Sequence, residues 1–379
     1  MARPRRRIIS APPEAGPLLT VEDFRTHFQT AGGLVRAVDG VSLTLDRGRT
    51  LGIVGESGSG KTVLSRSIMG LLTARNVVRT GSVRLKGQEL VGASNAEMRA
   101  LWGTEMAMVF QDPMTSLNPV MKIGQQITEG LRYHLGVPKD EALAQALQLL
   151  ESVGIPDPKR RLHQYPHELS GGMRQRVTIA IALACGPHLL FADEPTTALD
   201  VTVQAQILNL LQQQQADRHM AMVLVTHDLG VVAGRTDEIA VMYAGQIVER
   251  APTRTLFANV RMPYTEALLK SIPKLEQPSH TRLQIIGGRP PDLVNPPPGC
   301  RFAPRCPYAQ PRCHAEMPPL VEAETPGHEY RCWFPVGTPA GQEALERNLA
   351  AHVPAAEAAV TGDSHAAGLV DTASAGGEV

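Results

Sequence analysis

A chain of 379 residues, 43% of them apolar, can bury a substantial core, and its length fits one large unit with additions. Lysine plus arginine equals aspartate plus glutamate at 37 each, so no global charge is present to track a nucleic-acid backbone or an anionic membrane, and nucleic-acid partners are disfavoured. Aromatics at 4% are too few for a stacking platform, whereas 34 glycines and 30 prolines place the chemistry in tight loops.

Residues 1–17 are expected to be a disordered basic tail: Arg3, Arg5, Arg6 and Arg7 lead into Pro12 and Pro13 instead of the apolar run of a targeting signal. Leu18 to Val21 and Val38 to Leu45 read as strands, broken by Gly32-Gly33 and Arg47-Gly48, and predict an antiparallel β lobe. Leu51 to Val54 is a continuous apolar run of the kind buried on both faces, and it opens into a glycine-rich loop and a helical pattern from Thr62. Residues 115–184 turn helical, with apolar spacing of three and four over Ala142 to Val153, and predict an inserted helical subdomain. Apolar strands return at His188 to Ala192 and Met222 to Thr226 around a helical Val201 to Gln215, the alternation of a parallel α/β sheet. The core, 18–250, is expected to close near Glu249. A separate C-terminal extension, 251–336, follows; prolines peak there at Pro290, Pro291 and Pro296 to Pro298, and four of the five cysteines fall in it. Residues 337–379 carry almost no large apolar side chains and read as a mobile tail with at most one frayed helix. The longest apolar helix candidate, Val177 to Cys185, stops short of the roughly 18 to 20 residues a membrane span needs, so the chain is expected to stay on the cytosolic side.

Gly55-Glu56-Ser57-Gly58-Ser59-Gly60-Lys61-Thr62 fits G-x-x-x-x-G-K-[ST], in which glycines let successive backbone N–H groups converge on phosphate oxygens at a helix N-terminus. Lys61 would neutralise β- and γ-phosphates and Thr62 would ligate magnesium. Leu189 to Glu194 is an apolar strand ending in two acids whose side chains point apart, so Asp193 can hold magnesium while Glu194 faces water; alone, a surface turn would look the same. Leu169-Ser170-Gly171-Gly172-Met173 precedes a helix and offers a hydroxyl, bare amides and a positive helix end to a phosphate, although a plain helix cap explains Ser170 equally well.

With Gln111, Asp200 and His227 in order along the chain, residues 18–249 resemble the nucleotide-binding subunit of ABC transporters. The resemblance implies a P-loop NTPase fold and a head-to-tail dimer. In that dimer the loop of one subunit (Gly55, Ser57, Gly58, Gly60, Lys61, Thr62) and the Ser170-Gly171-Gly172 segment of the other sandwich each ATP with Mg2+, beside Asp200. It further implies that Glu194 polarises the attacking water, that Asp193 holds magnesium, and that Gln111 reaches the metal and links the core to the helical subdomain. His227 would sense the γ-phosphate. The family usually stacks an aromatic on the adenine from a segment before the strand near Val38; Phe28 is the candidate, with core packing as the alternative. Met173 stands where many relatives have glutamine.

The stretch Phe110 to Pro119, the loop Gly55 to Gly60 and the segment Gly299 to Pro307 resemble the branch that energises dipeptide and oligopeptide importers. That likeness implies a second ATPase subunit in a heterodimer, two transmembrane permease subunits, an extracytoplasmic solute-binding protein, and a peripheral position at the cytoplasmic face of the membrane. Another solute such as nickel, or a soluble ABC ATPase outside transport, is the alternative. Cys300, Cys306, Cys313 and Cys332 are separated by five, six and eighteen residues, without the tight knuckle usual for structural zinc. That spacing favours a 4Fe-4S cluster, which some relatives in the branch carry; zinc and unligated thiols are the alternatives. Cys185 reads as a small buried hydrophobe.

Overall fold

The computed structural model describes residues 16–197, 199–272 and 286–361; the arginine cluster at 3–7 and the end of the tail beyond 361 lie outside them. The strands, in chain order, are β1 (Leu19–Thr30), β2 (Gly33–Leu45), β3 (Thr50–Val54), β4 (Val77–Leu85), β5 (Gln88–Glu89), β6 (Met106–Val109), β7 (Leu189–Asp193), β8 (Ala221–Thr226), β9 (Glu238–Tyr243), β10 (Gln246–Pro252), β11 (Val321–Glu322) and β12 (Glu329–Tyr330). They form two sheets. The smaller has the order β2-β1-β4-β5 and is antiparallel, as the sequence predicted, with β1 and β2 longer than their apolar runs because polar residues continue the ladder beyond the core.

The larger sheet has the order β11-β12-β10-β9-β3-β8-β7-β6. From β9 to β6 its strands are parallel. Alternation along β7 shows why these strands are apolar throughout: Leu189 and Phe191 pack with the β lobe, while Leu190 and Ala192 pack with the helical side. Between β6 and β7 lie the helices Pro113–Ser116, Ile123–Leu135, Lys139–Ser152, Pro158–Arg161 and Gly171–Leu183, of which Ile123–Leu135, Lys139–Ser152 and Gly171–Leu183 share one apolar core with the far face of the sheet. Among the described residues no helix is long and apolar enough to cross a membrane.

Two expectations need correction. The extension does not stand apart: β12 pairs antiparallel with β10 and carries β11, so residues after 251 continue the core sheet. Fully buried Glu249 fastens this edge, accepting from Arg261 N at 2.7 Å, Met262 N at 3.1 Å and His328 Nε2 at 2.8 Å. Nor are residues 337–361 one frayed helix. They form two helices, Pro339–Ala350 and Pro354–Thr361, that bury Ala344, Asn348 and Ala356. Asn348 donates to the carbonyls of Pro307 at 2.8 Å and Ala309 at 2.9 Å, docking this segment beside the cysteines.

Candidate functional site

The pairing register sets the site. Val54 is level with Thr226, Val225 with Asp193, and Ala192 with Val109, so four adjacent parallel strands deliver the loop 55–60, His227, the Asp193-Glu194 pair and Gln111 to one carboxyl-end edge. That edge is the usual ligand position in an open α/β sheet. The glycine-rich loop turns directly from β3 into the helix Lys61–Ile68, so its amides surround a helix N-terminus. Gly60 is in the left-handed region at φ 103, and an added Cβ would lie 2.3 Å from Ala37 O, so only glycine fits there.

An open cleft of about 1090 Å³ is lined by Ser57, Gly58, Gly60, Lys61, Thr62, Gln111, Glu194 and His227, together with Phe28, Val35 and Ala37 of the β lobe. Lys61 is buried and its Nζ donates to the carbonyls of Gly55 at 2.7 Å and Glu56 at 3.0 Å. Burial pulls its pKa down, opposed by the carboxylates of Glu194, Asp193 and Glu56. Asp193 is fully buried and accepts from Thr62 Oγ1 at 2.9 Å on one oxygen. Its other oxygen, Oδ2, has no hydrogen-bond partner among the described residues, and the nearest cation is Arg66 Nε at 3.9 Å. Burial raises the Asp193 pKa, against the Thr62 hydrogen bond and the Arg66 charge. A hydroxyl and a buried carboxylate with a spare oxygen form a hard-oxygen donor set that fits Mg2+.

Glu194 adopts φ 45, which is uncommon for a side-chain-bearing residue and found mostly where the surroundings enforce it. Glu194 Oε2 accepts from Gln111 Nε2 at 3.1 Å and Thr197 Oγ1 at 3.0 Å, and His227 Nδ1 lies 3.4 Å from it. Gln111, Glu194 and His227, scattered across 117 positions of sequence, therefore share one carboxylate oxygen.

Ser170, Gly171, Gly172 and Asp200 are not on this cleft. Ser170 caps the helix Gly171–Leu183 by accepting from Met173 N at 3.4 Å, and Asp200 caps Val201–Arg218 by accepting from Val203 N at 3.0 Å. The two caps are neighbours: an added Cβ on Gly172 would lie 2.8 Å from Val203 Cγ1. Ser170 and Gly171 are exposed and Gly172 is half-buried.

The four cysteines line one small cavity with Met262, Ala303, Tyr308 and Phe334. Burial raises all four thiols, Cys300 to about 11. Among the described residues no three His, Cys, Asp or Glu side chains are arranged to hold a single metal ion. Cys185 is half-buried, and burial raises its thiol.

Sequence reasoning missed the far wall of the cleft, which the extension supplies through Leu268, Ser271, Ile286, Pro290 and Leu293. It also missed Tyr264 and Arg305, which grip the loop at Glu56. No local signal marks either residue, because their partners lie more than 200 positions away.

Residues 38–197 match the family model described as ABC transporter, and residues 248–313 match that of the oligopeptide/dipeptide transporter C-terminal region. The chain is 50% identical over 318 residues to the oligopeptide transport ATP-binding protein OppD of Bacillus subtilis, covering 84% of this chain and 88% of that one. It is 48% identical over 318 residues to the dipeptide transport ATP-binding protein DppD of the same organism, covering 84% and 94%. Among solved structures, the ATP-binding cassette MJ0796, a dimer bound to ADP and Pi, superposes with a TM-score of 0.56 at 25% identity, covering 62% of this chain and 99% of that one.

Proposed function

The chain belongs to the ABC transporter family of ATP-binding proteins, and from that premise we propose that it hydrolyses ATP to drive import of dipeptides and oligopeptides through two membrane permease subunits. The observation that carries the ATPase reading is the convergence of Lys61, Thr62, Gln111, Glu194 and His227 on one cleft at the ends of adjacent strands, with buried Asp193 joined to it through Thr62. The match over residues 248–313 and the similarity to OppD and DppD carry the cargo.

In this reading the amides of Ser57, Gly58 and Gly60 cradle the β- and γ-phosphates while Lys61 leaves its two loop carbonyls to neutralise them. Thr62, Asp193 and Gln111 would hold Mg2+, which would supply positive charge beside the phosphates. Glu194 orients and deprotonates the attacking water, its carboxylate aimed by Gln111 and Thr197. His227 donates to the γ-phosphate. Phe28 and Val35 take the base, opposite the wall from Ile286 to Leu293. Ser170, Gly171, Gly172 and Asp200 close the γ-phosphate of a second ATPase subunit, and the chain works as half of a heterodimer at the cytoplasmic face of the membrane, fed by an extracytoplasmic solute-binding protein.

The four cysteines hold a 4Fe-4S cluster with a structural role. Their convergence on one cavity supports this. Anaerobically purified protein should be brown, with near-stoichiometric iron and sulfide; colourless protein containing zinc would overturn the assignment.

Proteoliposomes containing the assembled transporter test the cargo. Peptides with the binding protein should stimulate ATP hydrolysis and accumulate inside. Stimulation by nickel and not by peptides would replace the peptide reading with the metal-import one.

A further inference from the structure

The segment between Cys300 and Cys306 carries two arginines, and both point into the ATPase core. Arg301 donates to Ala244 O and to Asp39 Oδ2. Gly245, the next residue after Ala244, donates its N–H to Ser59 O of the phosphate loop at 2.9 Å. Arg305 reaches the loop directly. Its Nη1 and Nη2 form a bidentate pair with Glu56 at 2.7 and 2.9 Å, with the Arg305 side chain 3% exposed. The remaining donors go to Tyr243 Oη at 3.2 Å, Ile286 O at 3.1 Å and Gly287 O at 2.7 Å. All five guanidinium N–H groups thus have an acceptor, a set that neither lysine nor glutamine can reproduce. Glu56 is held a second time from the extension, its backbone N–H donating to Tyr264 Oη at 2.8 Å. Tyr243, Tyr264 and Phe302 pack ring to ring beneath this contact, with centroids 4.5 to 5.3 Å apart.

Glu56 stands in the loop where phosphates are to bind, and its carboxylate would repel them if it were free to swing inward. The bidentate pair turns that charge away and fixes the backbone on either side of it. We propose that Arg305 is a positioning residue for ATP: it holds the phosphate loop through Glu56, so that nucleotide affinity depends on the cysteine-bearing extension. Arg305 touches no reacting atom and acts only through Glu56. The inference rests on Gly55 to Thr62 being the phosphate loop.

The test is steady-state ATP hydrolysis by the assembled transporter, with MgATP binding to the full chain measured alongside. Arg305→Gln should raise the KM for MgATP about tenfold and leave kcat within about twofold, the signature of lost ground-state positioning. Glu56→Gln should do the same, Arg305→Lys should fall between, and the double variant Arg305→Gln/Glu56→Gln should be no worse than either single one. Unchanged KM in the single variants, or a double variant whose KM rises by the product of the two factors, overturns the proposal. If Arg305→Gln does not fold, Glu56→Gln and Tyr264→Phe carry the test, and unchanged KM in both overturns it. Lys61→Ala separates the two readings. MgATP binding that survives Lys61→Ala removes the loop assignment, whereas binding lost with Lys61→Ala but normal in Arg305→Gln removes only the clamp.

Discussion

Single positions decide whether the loop can exist. Gly60 combines a left-handed backbone with a carbonyl from β2 at the place a Cβ would occupy, so neither strain nor clash can be relieved by a side-chain shift. Gly60→Ala should therefore reduce MgATP affinity by at least about tenfold, since even 1.4 kcal/mol of misplacement has that effect; calorimetric titration of the full chain reads it. Gly172→Ala meets a softer obstacle, the Val203 methyl, and should cost about 1 kcal/mol of stability, within the range of mild overpacking, by denaturant titration. At this scale the sequence was informative where chemistry follows local order. The loop, Asp193 and Glu194 were legible because glycine spacing and an apolar strand ending in acids are local patterns. The left-handed backbone at Glu194 was not, because no local pattern announces it and its partners Gln111 and His227 lie far away in sequence.

Among the elements, β3, β7 and β8 were readable from their unbroken apolar runs, which only burial on both faces explains. β11 and β12 were not, being two residues each and exposed or half-buried. What holds them is the Glu249 hub on β10, a carboxylate satisfied by two backbone amides and His328. Glu249→Leu leaves those three donors buried without an acceptor, and should destabilise the chain by about 3 kcal/mol. Hydrogen exchange should then rise first at 321–330, before the parallel strands; uniform exchange across the sheet would mean that the hub does not hold this edge. That 339–361 forms two docked helices where the sequence suggested at most one has a related reason. They dock through alanines and the amide of Asn348, which carry no hydrophobic periodicity to read.

For the whole molecule, the Ser170-Gly172 segment does not line the cleft, and the proposed function assigns it to the nucleotide of a second chain. Ser170→Arg places a bulky charge at the exposed amides without touching Lys61. It should leave MgATP binding to the isolated chain intact, because that cleft is complete on its own side, yet abolish hydrolysis by the assembled transporter; comparing the two assays checks it. The extension makes the same molecule less modular than its sequence: one segment lines the cysteine cavity, the nucleotide cleft and the sheet edge together. The most direct test of ATP hydrolysis at this site is MgATP turnover by the assembled transporter with Glu194→Gln as the only change. Hydrolysis should fall by about 10²- to 10⁴-fold, the usual contribution of a positioned base, while ATP still binds; undiminished turnover would remove Glu194, and the chemistry built around it, from the reaction.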